Sequence, residues 1–203
     1  MARIGLSKPY IASYTNSGTT VTYGTPAVIG KAVELSIELE GGSDNILYAD
    51  NAPAESDNQF AGGTLSVTTD DLDAASMVSI LGIVQQSISG TGVPTDAKWN
   101  VFDDQQTSPY VGFGGIVKKK INGTVKYVAI ALDKVQFANP GLAVTTQGET
   151  IEWQTTELSA TIMRSDNTYH SWYRMSTPCD TESAAVACLT AFFGASSDDE
   201  DGE

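Results

Sequence analysis

Cysteine, histidine and long apolar runs are scarce in this chain of 203 residues. Its two cysteines, Cys179 and Cys188, stand nine residues apart. This spacing is unlike a disulfide framework or a zinc site, and we expect both thiols to be reduced. No apolar run approaches the ~18 residues of a transmembrane helix, and residues 1–10 lack the apolar stretch of a signal peptide. These absences predict a soluble protein that is made in a cytoplasm and has no membrane partner.

Basic residues are also scarce, with 11 lysines and arginines against 25 acidic residues and a net charge of −14. Five of the acids lie in the last six residues, so we expect residues 196–203 to form a disordered acidic tail. The rest of the chain is acidic as well. This balance argues against affinity for phosphate backbones, which requires clustered Lys and Arg. It suits a wall along which DNA passes without binding.

Motifs for catalysis are missing. The single histidine, His170, lies among Tyr169, Trp172 and Tyr173 without a partner motif. The chain has no nucleophile elbow, phosphate-binding loop, zinc-protease motif or EF-hand loop. The glycine-rich run 112–115 lies inside a predicted strand, where glycines allow close packing or curvature rather than phosphate binding. We therefore expect no catalytic, cofactor-binding or metal-binding residues, and no enzyme.

The stretch from Lys31 to Gly82 organises the predicted fold. Apolar residues alternate with polar ones from Val33 to Leu39, which predicts a strand with one buried and one solvent-exposed face. A polar segment over residues 41–60 is too long for a hairpin turn and is interpreted as a loop that contacts a partner. A second strand follows over residues 64–69. Clustered Asp residues then predict the start of a helix over residues 70–82, which ends at Gly82.

The clearest hairpin joins strands Tyr110–Ile121 and Thr124–Phe137 through Asn122-Gly123, the preferred pair for a two-residue type I′ turn. Its tip gathers four of the eleven basic residues: Lys118, Lys119, Lys120 and Lys126. A two-residue turn places Lys119 opposite Lys126, and like charges in that arrangement repel. Two interpretations remain open: a solvated hairpin end, or a patch that docks on an acidic surface of a neighbouring copy.

The remaining segments complete a mainly β prediction. Residues 1–30 are interpreted as an N-terminal hairpin or arm with a turn at residues 16–18, and residues 82–109 as a loop over a buried Trp99. A switch of buried parity predicts a corner near residues 155–157, as in sandwiches and barrels. Residues 181–193 predict a short helix or partly extended tail. Residues 1–195 are thus expected to form one domain.

Several of these segments resemble the major tail protein family of phages, which builds the tail tube. Matching stretches, in the same order, are residues 47–51 with 54–56, the run from Phe60 to Gly63, the acidic helix start at 70–72, residues 110–114 with the lysines and Asn122-Gly123, and residues 148–155. The resemblance spans roughly Val33 to Ile162. It implies a two-sheet β-sandwich or barrel of the tail-tube type, with one flanking α-helix and a long extended loop.

The resemblance also implies a structural virion protein. Copies are expected to form hexameric rings that stack head-to-tail into the tail tube, through which double-stranded DNA passes transiently and without sequence specificity. Further expected partners are the tail tip or baseplate and the tape-measure protein. The location implied is the virion tail, after assembly in the bacterial host cytoplasm.

The candidate residues follow from these expectations. The loop would reach a neighbouring subunit, and with the basic tip it supplies the candidate interface residues: Tyr48, Asp50, Asn51, Glu55, Lys118, Lys119, Lys120 and Lys126. The candidate acids facing the lumen are Glu34, Glu38 and Glu152.

Two other classes of protein fit the composition. A capsid-decoration or head–tail connector protein would form trimers or a single ring instead of a polymer. A β-sandwich adhesin or carbohydrate-binding module would carry an exposed aromatic platform, for which the aromatic residues between Tyr169 and Tyr173 are the candidate. Assembly at high concentration separates the three.

Overall fold

The computed structural model describes residues 2–41, 45–49, 52–57, 60–141 and 155–194, with side chains over 3–40, 60–141 and 155–194. The protein is mainly β, as the sequence predicts, and the sheets that the described residues form are antiparallel. The acidic tail and the residues before the predicted corner at 155–157 lie outside the described parts of the chain. Those two predictions therefore remain predictions.

Thirteen strands and two helices occur within the described residues. In chain order they are β1 (Ala2–Ser17), β2 (Thr20–Tyr23), β3 (Ala27–Val28), β4 (Ala32–Gly41), β5 (Asn45–Ala49), β6 (Ala52–Asp57), β7 (Phe60–Thr69), α1 (Ala74–Leu81), β8 (Val84–Ser87), β9 (Lys98–Val101), β10 (Tyr110–Ile121), β11 (Thr124–Phe137), β12 (Thr156–Met163), β13 (Tyr173–Met175) and α2 (Glu182–Gly194).

One nine-stranded sheet forms the body, in the order β2-β1-β10-β11-β12-β7-β4, with β3 paired to β1 and β13 paired to β11. Buried side chains from β1, β10, β11, β12 and β7 meet in one core, so the sheet curves around it. Phe113 and Phe137 pack edge-to-face there, with ring centroids 6.4 Å apart. Ile80 and Leu81 of α1 are fully buried in the same core.

Helix α1 is shorter than the sequence predicts. It begins after Asp73, whose side chain accepts a hydrogen bond from the Ser76 amide, and ends at Gly82 with φ 67°. The predicted stop is confirmed, but the predicted start at residue 70 is wrong. Asp70 instead accepts hydrogen bonds from the amides of Lys31 and Asp71, which ties the chain before β4 to the segment after β7.

The prediction of one flanking helix is also wrong, because α2 is a second helix. Ala185, Leu189 and Phe193 form its buried stripe, which covers β10 and β11 on the face opposite the main core. Gly112 and Gly114 permit this approach, since a Cβ on either would lie 2.7 Å or less from Phe193 or Leu189 atoms. Close packing, expected for this glycine-rich strand, is confirmed. Both strands are therefore covered on two sides.

We expect Gly114→Ala to lower the free energy of unfolding by about 1–3 kcal/mol, because α2 must move away from β10 to make room. The added Cβ would lie 2.5 Å from Leu189 Cδ1. Gly115→Ala is the matched control, since its Cβ would make an ordinary contact of 3.6 Å with Leu6. Urea unfolding of both variants measures the difference. Equal stability of the two would contradict the packing argument.

The predicted β10–β11 hairpin is confirmed at both strand bounds and at the turn. Asn122 and Gly123 both have positive φ, 49° and 84°, as a type I′ turn requires. The register pairs Ile121 with Thr124 and Lys119 with Lys126.

Three segments predicted as loops or arms are built differently. Within residues 41–60, β5 and β6 pair as an antiparallel hairpin between β4 and β7. Residues 84–101 contain the β8–β9 hairpin, and Trp99 is 66% exposed instead of buried. In the N-terminal segment the predicted hairpin is confirmed as the β1–β2 pair, with its turn at residues 18–19, but β1 is longer than predicted and also pairs along β10. Only the pairing of β1 with β10 joins segments that are distant in the sequence; the β5–β6 and β8–β9 hairpins join neighbouring strands whose polar composition does not indicate a strand.

Candidate functional site

The main sheet ends on β4, which pairs with β7 on one side only. The other edge has no strand partner among the residues that the structure describes. An unpaired edge exposes backbone N–H and C=O groups and is a template for pairing with another chain. The β5–β6 hairpin leaves the sheet from the end of this same strand and returns at the start of β7. The hairpin is therefore connected in the chain to one end of the unpaired edge.

A groove of about 600 Å³, here called the seam groove, lies between β4 and the N-terminal half of β1. Its apolar lining includes Leu6, Leu35, Ile37 and Trp172. Val33 and Leu39 also line it and are 57% and 51% exposed. The sequence predicts that the apolar face of β4 is buried, and for these two residues that is wrong. The reason is that no strand among the described residues pairs with the outer edge of β4, and β1, although close, lies across the open seam groove.

One wall of the seam groove is basic. β1 pairs with β10 and β10 with β11, so that Arg3, Lys119 and Lys126 lie directly opposite one another across three strands. We call these three residues the basic row. Arg3 and Lys119 line the groove as well. Adjacent like charges destabilise a sheet unless an anion is near, so this row would be stabilised by acidic groups.

The lysines of the hairpin tip differ in their contacts. Lys126 forms an ion pair with Asp180 of the same chain. This carboxylate offsets part of the repulsion predicted between Lys119 and Lys126. Lys119 Nζ lies 3.5 Å from Met175 Sδ, and Lys118 Nζ lies 6.0 Å from the Tyr127 ring centroid. Lys120 is exposed. Among the described carboxylates none forms an ion pair with Arg3, Lys118, Lys119 or Lys120.

The opposite face of β4 is polar and acidic. The registers of β4, β7 and β12 align Glu34 with Thr68 and Glu157, and Glu38 with Thr64 and Thr161. A row of three serines lies between them, at positions 36, 66 and 159. The three glutamates are exposed. Because these three rows carry only hydroxyl and carboxylate side chains, this face, here called the acidic face, repels anions.

The structure thus unites some of the candidate residues. The four lysines gather at one tip together with Arg3, which local sequence reasoning missed because β1 and β10 are far apart in the chain. Glu34 and Glu38 share one face with Glu157. Among the loop candidates, Tyr48 lies in β5 and Glu55 in β6, where only the backbone is described. Asp50, Asn51 and Glu152 lie outside the described residues.

The aromatic cluster at residues 169–173 does not form a flat platform. Trp172 stacks on Phe60, with ring centroids 4.3 Å apart and planes 3° apart. Tyr173 packs against the main core. Tyr169 is exposed and so is His170, whose Nδ1 lies 3.2 Å from the Ser165 carbonyl oxygen. Only Tyr169 of this cluster is freely exposed, so the aromatic rings do not form one continuous stacking surface for a sugar ring.

The polar network next to this cluster holds the segment in place. Lys134 donates to Asp166 at 2.7 Å and Tyr14 donates to the same oxygen at 2.8 Å. The pKa of Asp166 is lowered below its usual value, mainly because Lys134 donates this hydrogen bond to its carboxylate. Asp133 is fully buried and accepts from Arg174 Nε at 3.2 Å and from the Ser171 hydroxyl. These bonds fix β13 and residues 165–171 against β11.

No group of His, Cys, Asp and Glu side chains in the described ranges has a geometry that would hold a metal ion. Neither helix is long and apolar enough to cross a membrane. The chain matches no known family model and no curated protein. What the fold defines is a class: a mainly β protein with antiparallel sheets, an unpaired apolar edge, a basic hairpin tip and an acidic face.

Proposed function

We propose that this chain is the repeating subunit of a phage tail tube, which polymerises as stacked hexameric rings. The observation that carries the proposal is the uncovered edge of β4, where Val33 and Leu39 are more than half exposed beside the seam groove. An apolar edge strand in water invites pairing with another strand. The resemblance to major tail proteins supplies the identity of that partner, a second copy.

The arrangement supports a ring in which each copy covers the edge of the next. Pairing at β4 satisfies its free backbone groups and removes its apolar side chains from water. The β5–β6 hairpin, which extends from the same edge, would contact the neighbour. A heterologous interface of this kind can close into a ring, and a second, head-to-tail interface between rings would allow them to stack without a fixed end. The tail tip or baseplate would provide the first template and the tape-measure protein would set the length.

The acidic face is the proposed lining of the tube. Glu34, Glu38 and Glu157 are exposed on it, and hydroxyl groups occupy the positions between them. At physiological salt these charges act over roughly 8 Å, which is enough to keep DNA from adhering to the wall. The DNA would then pass as a transient, non-specific partner.

Assembly of the purified full-length chain tests the proposal. Negative-stain microscopy and sedimentation over a range of concentrations should show tubes of stacked rings. Trimers or isolated rings would favour a capsid-decoration or connector protein. A monomer at every concentration, also in the presence of preformed tail tips, would overturn the proposal.

Reversal of charge on the acidic face should leave assembly intact but make the tube retain DNA. In Glu34→Lys/Glu38→Lys, the new cations would bind phosphates with an affinity that falls steeply with salt. Co-sedimentation of tubes with double-stranded DNA at low and high salt measures this. Glu34→Gln/Glu38→Gln is the control, which removes charge without adding cations. Absence of DNA binding by lysine-variant tubes would place these residues away from the lumen.

A further inference from the structure

The chain's two cysteines, although far from a typical disulfide spacing, meet in the folded protein. Cys179 Sγ and Cys188 Sγ lie 4.0 Å apart, which is van der Waals contact between two thiols. Cys188 is on the exposed side of α2, and Cys179 is half-buried beneath it. We propose that Cys179 and Cys188 form an oxidation site, at which an intrachain disulfide joins α2 to the segment anchored on β11.

The backbone around Cys179 holds one thiol in place. Its amide donates to the Tyr127 carbonyl oxygen at 2.7 Å, and its carbonyl oxygen accepts from the Tyr127 amide at 2.9 Å. The adjacent Asp180 pairs with Lys126. Cys179 also packs against the buried cluster under α2. The segment that carries the first sulfur is therefore fixed to the sheet from both sides.

The second thiol is held within reach by the start of α2. The Ala184 amide donates to Thr181 Oγ1 at 3.2 Å, and Glu182 accepts from the Ser7 hydroxyl at 2.7 Å. Leu189, next to Cys188, is buried against the sheet. A disulfide has an S–S bond of about 2.05 Å, so the sulfurs must approach by roughly 2 Å.

Cys188 is the thiol that reacts first. Its exposure gives an oxidant access, whereas burial and the neighbouring Cys188 sulfur raise the pKa of Cys179. With hydrogen peroxide as the oxidant, the Cys188 thiolate attacks one peroxide oxygen to give a sulfenic acid and hydroxide. The Cys179 thiol then attacks the sulfenic sulfur, the S–S bond forms and water leaves. Overall, the two thiols are oxidised to one disulfide, and one hydrogen peroxide is reduced to two molecules of water.

The bond would stabilise the docked position of α2, because it closes a short loop and so lowers the conformational entropy of the unfolded chain. For a protein of this size the expected rise in melting temperature is roughly 4–10 °C. Such a bond forms in oxidising surroundings and is absent in a reducing cytoplasm. The inference does not depend on the proposed function, since it concerns only contacts within one chain.

Titration of the purified full-length chain with hydrogen peroxide tests the proposal. Thiol counting, intact mass, peptide mapping without reductant and thermal melting are the measurements. We expect both thiols to disappear at the same time and the intact mass to fall by two hydrogen atoms. Peptide mapping should show a 179–188 cross-link, and the melting temperature should rise in a way that reductant reverses. Cross-linked dimers, two separately oxidised cysteines, or two unreacted thiols would overturn the proposal. A cross-link with no change in melting temperature would overturn its stabilising role.

Single variants separate the two thiols. Cys179→Ser retains only the exposed thiol and should stop at the sulfenic acid, which dimedone traps. Cys188→Ser retains only the half-buried thiol and should react at least about 10-fold more slowly, as expected for a less accessible thiol with a raised pKa. The melting temperature of either variant should not rise on oxidation. Equal oxidation rates of the two variants would contradict the assigned order of reaction.

Discussion

Tube formation is expected to be lost when Val33 and Leu39 are both replaced by glutamate. In the proposed ring these side chains are buried against the next copy, and because each is about half exposed beforehand, its burial contributes about 0.8–1.5 kcal/mol. Two carboxylates at these positions would be desolvated in the interface or drawn to Arg3 and Lys119 of the same groove, and either outcome removes the apolar contact. The concentration needed for assembly should therefore rise about 100-fold, measured by sedimentation and negative-stain microscopy.

The fold of the subunit should survive this change, because both side chains are more than half exposed in the single chain. The melting temperature of the variant monomer is expected to stay within a few degrees of the original, which excludes unfolding as the cause. Ser89→Glu/Thr91→Glu is the matched control, since it adds the same two charges on an exposed loop. Normal tubes from the double variant would show that the β4 edge is not an interface.

The second large effect is expected at the hairpin tip. Replacement of Lys118, Lys119 and Lys120 by glutamate should block tube formation, because in the proposed assembly these residues meet carboxylates of an adjacent subunit. Each exposed pair contributes only ~0.2–1 kcal/mol, but the pairs repeat in every copy of the ring. Assembly of the unaltered protein should accordingly weaken as salt increases. Sedimentation at several salt concentrations measures both effects.

The in-chain contacts of the tip decide which lysines to change. Lys126 is left in place because it pairs with Asp180, and its loss would disturb the segment before α2. Lys98→Glu serves as the charge control, since Lys98 is exposed on β9 and outside the tip. A triple variant that assembles like the control, with an unchanged salt dependence, would show that the tip is only a solvated hairpin end.

Features encoded by neighbouring residues could be predicted from the sequence. Asn122-Gly123 specifies the β10–β11 turn because these two residues accept positive φ at little cost. Gly82 ends α1 for the same reason. The alternation in β4 predicts its two faces correctly, since the acids all lie on one of them. Alternation does not indicate how many strands lie on each side of β4. The exposure of Val33 and Leu39 could therefore not be predicted from it.

The candidate site was predictable only in part, because it depends on which strands become neighbours. Arg3 joins Lys119 and Lys126 through pairing of β1 with β10, across more than a hundred residues of chain. Glu157 joins Glu34 by way of β7. The pairing of the two cysteines likewise follows from the docking of α2 on β11.

Turns, caps and the two faces of a strand follow from local chemistry, because a residue's backbone preference and polarity act within a few positions of the chain. Composition likewise established a mainly β, acidic chain. The order of strands, the open edge at β4 and the basic row arise from contacts between distant segments. Such contacts are selected by how the whole core packs and by the entropy of closing long loops, and no short stretch of sequence encodes either.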